Sequence, residues 1–165
     1  MNIREARESD AENLVSLIKQ VETEADFMLM EPGERQVTPE QLKQRIASFQ
    51  KSGNSTFFVA ENDGELIGYM FAIGGTAKRN KHSVYIVIGI LKDYRGQGIG
   101  TRLFEKLEDW AVERNFRRLE LTTVTRNVAG VALYKKMGFE VEGIKKDSLI
   151  IDGEFVDEYY MAKLL

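Results

Sequence analysis

Residues 95–100 read Arg-Gly-Gln-Gly-Ile-Gly. They follow an apolar, β-branched run, Val84 to Leu91, and precede a helical pattern starting near Ile99. A helix N-terminus carries unpaired N–H groups and roughly half a positive charge. Glycine lets the backbone approach an anion closely and adopt positive φ. Strand, glycine-rich turn and helix together make a cradle for phosphate, although a short glycine motif alone reads equally well as a turn without a ligand. Two familiar phosphate loops fit badly. A Walker loop ends in Gly-Lys-Ser/Thr, whereas Gly100 is followed by Thr101-Arg102. In a dinucleotide fingerprint, Gly-x-Gly-x-x-Gly, the last glycine would fall on Thr101.

The elements that must position this turn follow from periodicity. Ile3 to Ala6 is a short strand. Ser9 and Glu12 have capping-box spacing, ahead of a helical stripe of Leu14, Leu17, Ile18 and Val21. A second helix starts at Thr38, with Pro39 at its first position and Gln41 completing another box. Its stripe is Leu42, Ile46 and Phe49. The connection between them, Glu22 to Val37, is long enough to suggest function. Strands 56–61 and 66–73 flank the hairpin signal Asn62-Asp63-Gly64-Glu65, and a strand over 82–91 follows. Helix three spans about 98–115, burying Ile99, Leu103, Leu107, Trp110 and Ala111. A strand alternates from Leu119 to Val124. Helix four spans about 127–137, with Gly138 behind it as C′ residue. Strands 139–149 and 154–164 close the chain around Asp152-Gly153. The fold class expected is α+β, layered like α/β/α: a mixed, mostly antiparallel seven-stranded sheet with about four helices. The crossover through helix three makes strands 82–91 and 119–125 a parallel pair.

Composition bounds the rest. At 165 residues, 43% hydrophobic and 30% charged, the chain has globular values and the size of one domain, residues 1–165. A net charge of −3 suggests no general affinity for nucleic acid or anionic membrane. Without cysteine there is no disulfide, thiolate metal site or cysteine nucleophile. The polar start, Met1 to Glu5, lacks a signal-peptide core. No apolar run approaches the ~20 residues of a membrane span. A soluble, cytoplasmic protein is expected.

Arg95-x-x-Gly98-x-Gly100 after such a strand resembles motif A of the GNAT superfamily of acyl-CoA-dependent N-acetyltransferases. Asn127, Leu133-Tyr134 and Gly138-Phe139 resemble that superfamily's second signature, in the right order and spacing, and the element order over essentially the whole chain is also similar. Phe27 to Arg35 and Gly143 to Met161 look similar to bacterial acetylases of amino acids and to the phosphinothricin-type enzymes.

The resemblance implies acetyl-CoA as co-substrate, no metal, and attack by an amine on the thioester. It puts the pyrophosphate on Arg95, Gly96, Gln97, Gly98, Ile99, Gly100 and Thr101. Ile88, Gly89 and Ile90 would pair with the pantetheine amides where their strand splays from strand 119–125, as an extended arm adds to a free sheet edge. A backbone N–H at Ile90 or Leu91 would polarise the thioester oxygen. Tyr134 would be the general acid, Asn127 a helix cap and a ligand of the cofactor arm, and Lys136 and Arg102 partners for phosphates. Many relatives place a glutamate base on the strand after helix three. The matched position here is Thr122, so Glu120, on the same face, is the leading candidate. Glu22, Glu24 and Glu31 could meet a cationic amine, but at least two are expected to be solvated; His82 could be a water-linked base but reads as structural, and Lys78, Arg79 and Lys81 could bind an acceptor carboxylate but read as a solvated turn. The acceptor implied is a small amine: an amino acid, polyamine or amine antibiotic. A protein N-terminal or lysine acetyltransferase and a non-catalytic acyl-CoA sensor are the alternatives. A homodimer through sheet edges or Tyr159-Tyr160-Met161 and a core strand at that stretch are equally natural.

Overall fold

The computed structural model describes residues 1–165. Its strands are β1 (Asn2–Glu5), β2 (Ser55–Asn62), β3 (Glu65–Gly74), β4 (Ser83–Ile90), β5 (Arg118–Val124), β6 (Glu140–Ile151) and β7 (Glu154–Leu164). The helices are α1 (Ala11–Glu24), α2 (Pro39–Ser52), α3 (Ile99–Glu113) and α4 (Val128–Lys136). The strands form one sheet in the order β1-β2-β3-β4-β5-β7-β6. Every pair is antiparallel except β4 with β5, so the α+β fold with a mixed seven-stranded sheet is as expected. No helix is long and apolar enough to cross a membrane.

Each helix buries one apolar stripe against one face of the sheet. Leu14, Ile18, Val21, Leu42 and Ile46 of α1 and α2 pack on Phe57, Val59, Tyr69 and Phe71. Leu103, Phe104, Leu107 and Trp110 of α3 pack on the opposite face, on Phe58, Met70, Val84 and Leu119, with Tyr134 of α4 in the same cluster. Trp110 stacks on Phe116 at 5.2 Å between centroids and meets Phe58 edge-on at 6.3 Å; such pairs add about 0.5–1.5 kcal/mol beyond area burial. α1 and α2 cover only the β1–β4 half of their face. On the β5-β7-β6 half the same face stays open, and Glu120, Thr122 and Tyr160 line a cleft there.

Local signals hold where no distant partner competes. Thr38 caps α2 by accepting from the Gln41 N–H at 3.1 Å, and Gln41 returns the bond to the Thr38 N–H. The Ser9–Glu12 box does not form. Asp10 sits there instead, accepting from the Arg7 N–H at 2.7 Å and from both ends of the Arg4 guanidinium at 2.8 and 2.9 Å. A cation delivered from β1 outweighs a local hydroxyl, because charge-assisted bidentate bonds are about twice as strong as neutral ones. The Tyr159–Met161 stretch takes the core-strand reading: Met161 is buried and Tyr160 faces the cleft.

Candidate active site

β4 and β5 pair over only three positions, Ser83–Arg118, Val84–Leu119 and Tyr85–Glu120. Beyond them β4 continues to Ile90 alone on that side. The direction of each backbone group follows from the β3 ladder. The Leu91 N–H donates to the Ile67 carbonyl at 3.0 Å, and the Ser83 carbonyl accepts from Gly75 at 2.9 Å. Odd-numbered residues of β4 therefore spend their backbone on β3, and Ile86, Ile88 and Ile90 turn theirs toward the fork. The Leu91 and Gly89 amides belong to the ladder, so within 88–91 only Ile88 and Ile90 present N–H groups to the open edge. The Ile90 carbonyl accepts from Arg95 Nε at 3.3 Å, which folds Arg95 back along the strand end.

The cradle lies at the end of this edge. Gly96 and Gly98 have φ of +73° and +81°, and a Cβ built on either would meet nothing within 4 Å. The glycines are there for the left-handed backbone and for the open space in front of it. None of the N–H groups from Gly96 through Thr101 has an acceptor in the protein; the ladder resumes with Arg102 N–H to Gly98 O at 3.1 Å. Six successive donors, three of them heading α3, are left without a protein acceptor. Lys136 reaches across from α4 and donates to Thr101 Oγ1 at 3.2 Å, adding a cation at the same spot. Arg102 turns away to the Met1 carbonyl, and Gln97 binds the Asp93 carbonyl.

Asn127 caps α4, its Oδ1 accepting from the Gly130 N–H at 3.2 Å while Nδ2 points to Thr123 Oγ1 at 3.4 Å. Tyr134 is 8% exposed, between Phe104 and Phe139. Burial, and then neighbouring Tyr85, push its phenol up to about 12, so it is neutral across the physiological range. Its oxygen makes no hydrogen bond to the protein and is not sealed from solvent.

On the other face, Glu120 Oε2 accepts from Arg118 Nε at 2.7 Å, leaving Oε1 free. Arg118 also grips Glu142 with both ends of its fork. Tyr85 shares a hydrogen bond with Thr122 at 3.0 Å. Tyr85, Arg118 and Glu120 belong both to a cleft of about 340 Å³ toward β7 and to one of about 500 Å³ toward His82 and Asn80. Tyr134 and Glu120 thus sit on opposite faces of the sheet. His82 is exposed; its carbonyl accepts from the Arg117 and Arg118 N–H groups.

The α1–α2 connection begins only after Glu24, the last residue of α1, and two of the three acids are engaged, against the expectation that at least two would be solvated. Glu22 is 2% exposed, and its carboxylate takes Arg35 Nε at 3.0 and 2.9 Å and Nη2 at 2.8 Å. Glu24 Oε1 accepts from the Lys92 N–H at 2.9 Å. Only Glu31 is freely exposed. The sequence carries a signal for Glu22: it lies four residues after Ile18, on the apolar stripe, where a carboxylate demands a partner. Nothing marked Arg35 as that partner.

A family model described as Acetyltransferase (GNAT) family matches residues 20–139. The acetyltransferase of GNAT family from Streptococcus pneumoniae superposes with a TM-score of 0.95 at 33% identity, covering 99% of this chain and 98% of that one. The L-amino acid N-acetyltransferase AaaT of Escherichia coli is 30% identical over 110 residues, 64% of this chain and 66% of its own. A phosphinothricin acetyltransferase from Sinorhizobium meliloti, solved in complex with AcCoA, has a TM-score of 0.86 at 20% identity, covering 99% of this chain and 88% of its own, and shares the fold. The chain spans 66%, 44% and 62% of the lengths of three curated relatives.

Proposed function

Because the chain belongs to the GNAT acetyltransferase family, we propose that it moves the acetyl group of acetyl-CoA to a primary amine of a small molecule. Amino acids, polyamines and amine antibiotics are the acceptors in view. The observation that carries the reading is the run of six unpaired N–H groups, Gly96 to Thr101, adjoining the unpaired edge of β4. A pyrophosphate satisfies the first and an amide-bearing arm the second. Residues 1–165 would act as one acetyltransferase domain. Acetyl-CoA is an intracellular substrate, which puts the proposed reaction in the cytoplasm.

In the reaction the amine nitrogen bonds to the thioester carbon and the carbon–sulfur bond breaks. The amine gives up one proton and the CoA sulfur gains one. The free Ile90 N–H is the donor for the developing oxyanion; losing such a donor typically costs about 2.7–4 kcal/mol of barrier. Gly96 to Thr101, with Lys136, would anchor the pyrophosphate, and Ile88 would hold the arm. A thiolate of cysteine type has a pKa of about 8.5, below the Tyr134 value of about 12. Full proton transfer from Tyr134 is therefore uphill, and the phenol acts first as a neutral hydrogen-bond donor to the departing sulfur. Glu120, with Oε1 free on the opposite face, would take the amine proton. Leaving group and nucleophile are then served from separate sides of the sheet.

Calorimetry with acetyl-CoA, followed by thiol release over amino acids, polyamines, aminoglycosides and peptides, tests the reading. Binding and turnover with a small amine are expected. No acetyl-CoA binding would refute it. Binding without turnover on any acceptor would favour a sensor, and peptide-only turnover a protein acetylase. Light scattering tests for the homodimer.

A further inference from the structure

Position 89 of β4 lies between the two residues whose N–H groups face the fork. It is glycine, and a Cβ there would stand 2.6–2.7 Å from Cζ, Cε1 and Oη of Tyr69. The Tyr69 phenol therefore rests directly on the strand at the reacting position, from the α1/α2 side. Its residue is 1% exposed and its hydroxyl makes no hydrogen bond to the protein. Burial and then Glu22 hold that phenol neutral. The opposite side of β4 is filled by Ile99 and Tyr134 in the α3 cluster. On its other side the polar atom that meets β4 at this position is the Tyr69 hydroxyl.

Beside that phenol is Arg35. Glu22 binds its Nε and Nη2 edge, and Glu22 itself is buried. Nη1 makes no hydrogen bond, and the side chain is 30% exposed. A guanidinium clamped on one edge by a buried carboxylate presents the other edge, in fixed orientation, to a second planar acceptor. The surroundings favour an anion there. Arg45, over the rings of Phe49 at 5.3 Å and Phe57 at 5.7 Å, has its charge disfavoured by burial and then by Arg35, and it has no carboxylate partner. The one other carboxylate that acts on Arg35 is exposed Glu34 on the same loop.

We infer that the acceptor carries a carboxylate close to its amine, as a free amino acid does: Arg35 grips the carboxylate, and the Tyr69 hydroxyl accepts a hydrogen bond from the amine and aims its lone pair at the acetyl carbon. The inference rests on the acetyl-transfer reading and narrows its acceptor. The Glu120 cleft, lined by Tyr85 of β4 as well as by β5 and β7, opens on the same face of the sheet.

The test compares thiol release with free L-amino acids and with their carboxamides, which differ only in the charge that Arg35 would hold. The free acids should be used about ten- to a hundredfold better in kcat/KM. Arg35→Lys keeps a cation beside Glu22 but loses the fork. It should raise KM for the acids, leave the carboxamides unchanged and so erase most of the ratio. Tyr69→Phe should lower kcat for acids and carboxamides alike, with the acetyl-CoA KM unmoved. Equal use of acids and carboxamides by the native protein would overturn the inference, as would a preference for polyamines or for peptides with free N-termini. A ratio that survives Arg35→Lys would overturn it too. If Arg35→Lys does not fold by circular dichroism, the native ratio decides alone. Failure of acetyl-CoA binding, or of thiol release with every amine, would instead sink the acetyl-transfer reading.

Discussion

Gly98→Ala separates the two services that the glycine performs. Gly98 holds φ +81° at the N-cap of α3, and the space around its missing Cβ is empty to 4 Å. The substitution therefore makes no clash, and its stability cost is backbone strain alone, about 1–2 kcal/mol for a left-handed non-glycine residue. For a chain of this size each kcal/mol moves Tm by about 2–4 °C. The empty space lies over the six free N–H groups, so the methyl also intrudes where a phosphate must approach. Losing one hydrogen bond to a charged group costs about 1.5–3 kcal/mol, or roughly ten- to a hundredfold in Kd. Gly98→Asn supplies the control, because asparagine tolerates the left-handed region. Differential scanning should show Asn closer to the native Tm than Ala. Calorimetry with acetyl-CoA should show both variants weakened. An unchanged Tm for Ala would refute the strain argument. Native affinity in both variants would refute the cradle.

Tyr134→Phe should lower thiol-release turnover by about 10²-fold or more, the lower range for a proton-handling group, while acetyl-CoA binding changes little. The Tyr134 phenol is raised in the fold, so the unfolded chain ionises first. The phenol's contribution to stability is constant below pH about 10 and is lost as pH rises toward about 12. Denaturant titrations between pH 9 and 11 should show that loss, and Tyr134→Phe should remove one proton's worth of its slope. Breaking the Glu22–Arg35 pair should be asymmetric. Arg35→Met strands a carboxylate that is 2% exposed and approaches the 3–5 kcal/mol of a broken buried pair, whereas Glu22→Gln leaves a guanidinium with water access and costs less. Thermal melts of the two variants check the order. Asn127→Ala removes the cap bond to Gly130 and should cost about 1 kcal/mol, most of it restored by Asn127→Asp.

The phosphate cradle was legible in the sequence because its requirements are local. Left-handed φ needs glycine, and free donors need a helix start, so residues 96–101 announce both within six positions. The α2 cap and the apolar stripes were legible for the same reason: partners three or four residues apart meet in any helix. The Ser9–Glu12 box failed where a charge from β1 entered the competition. The sequence did not single out Tyr69, since strand alternation fixes its face but not what lies above its hydroxyl.

The order of elements, the parallel crossover and the family signatures follow from the chain's own pattern, because periodicity and turn chemistry are short-range. Only the tertiary structure decided that β4 and β5 part after Tyr85, that Leu91 spends its amide on β3 while Ile90 does not, and that Arg35 folds back from the α1–α2 connection onto a buried Glu22 thirteen positions earlier. Those outcomes depend on which distant groups compete for the same donor or acceptor, and that competition exists only once the sheet and its two helical layers are packed.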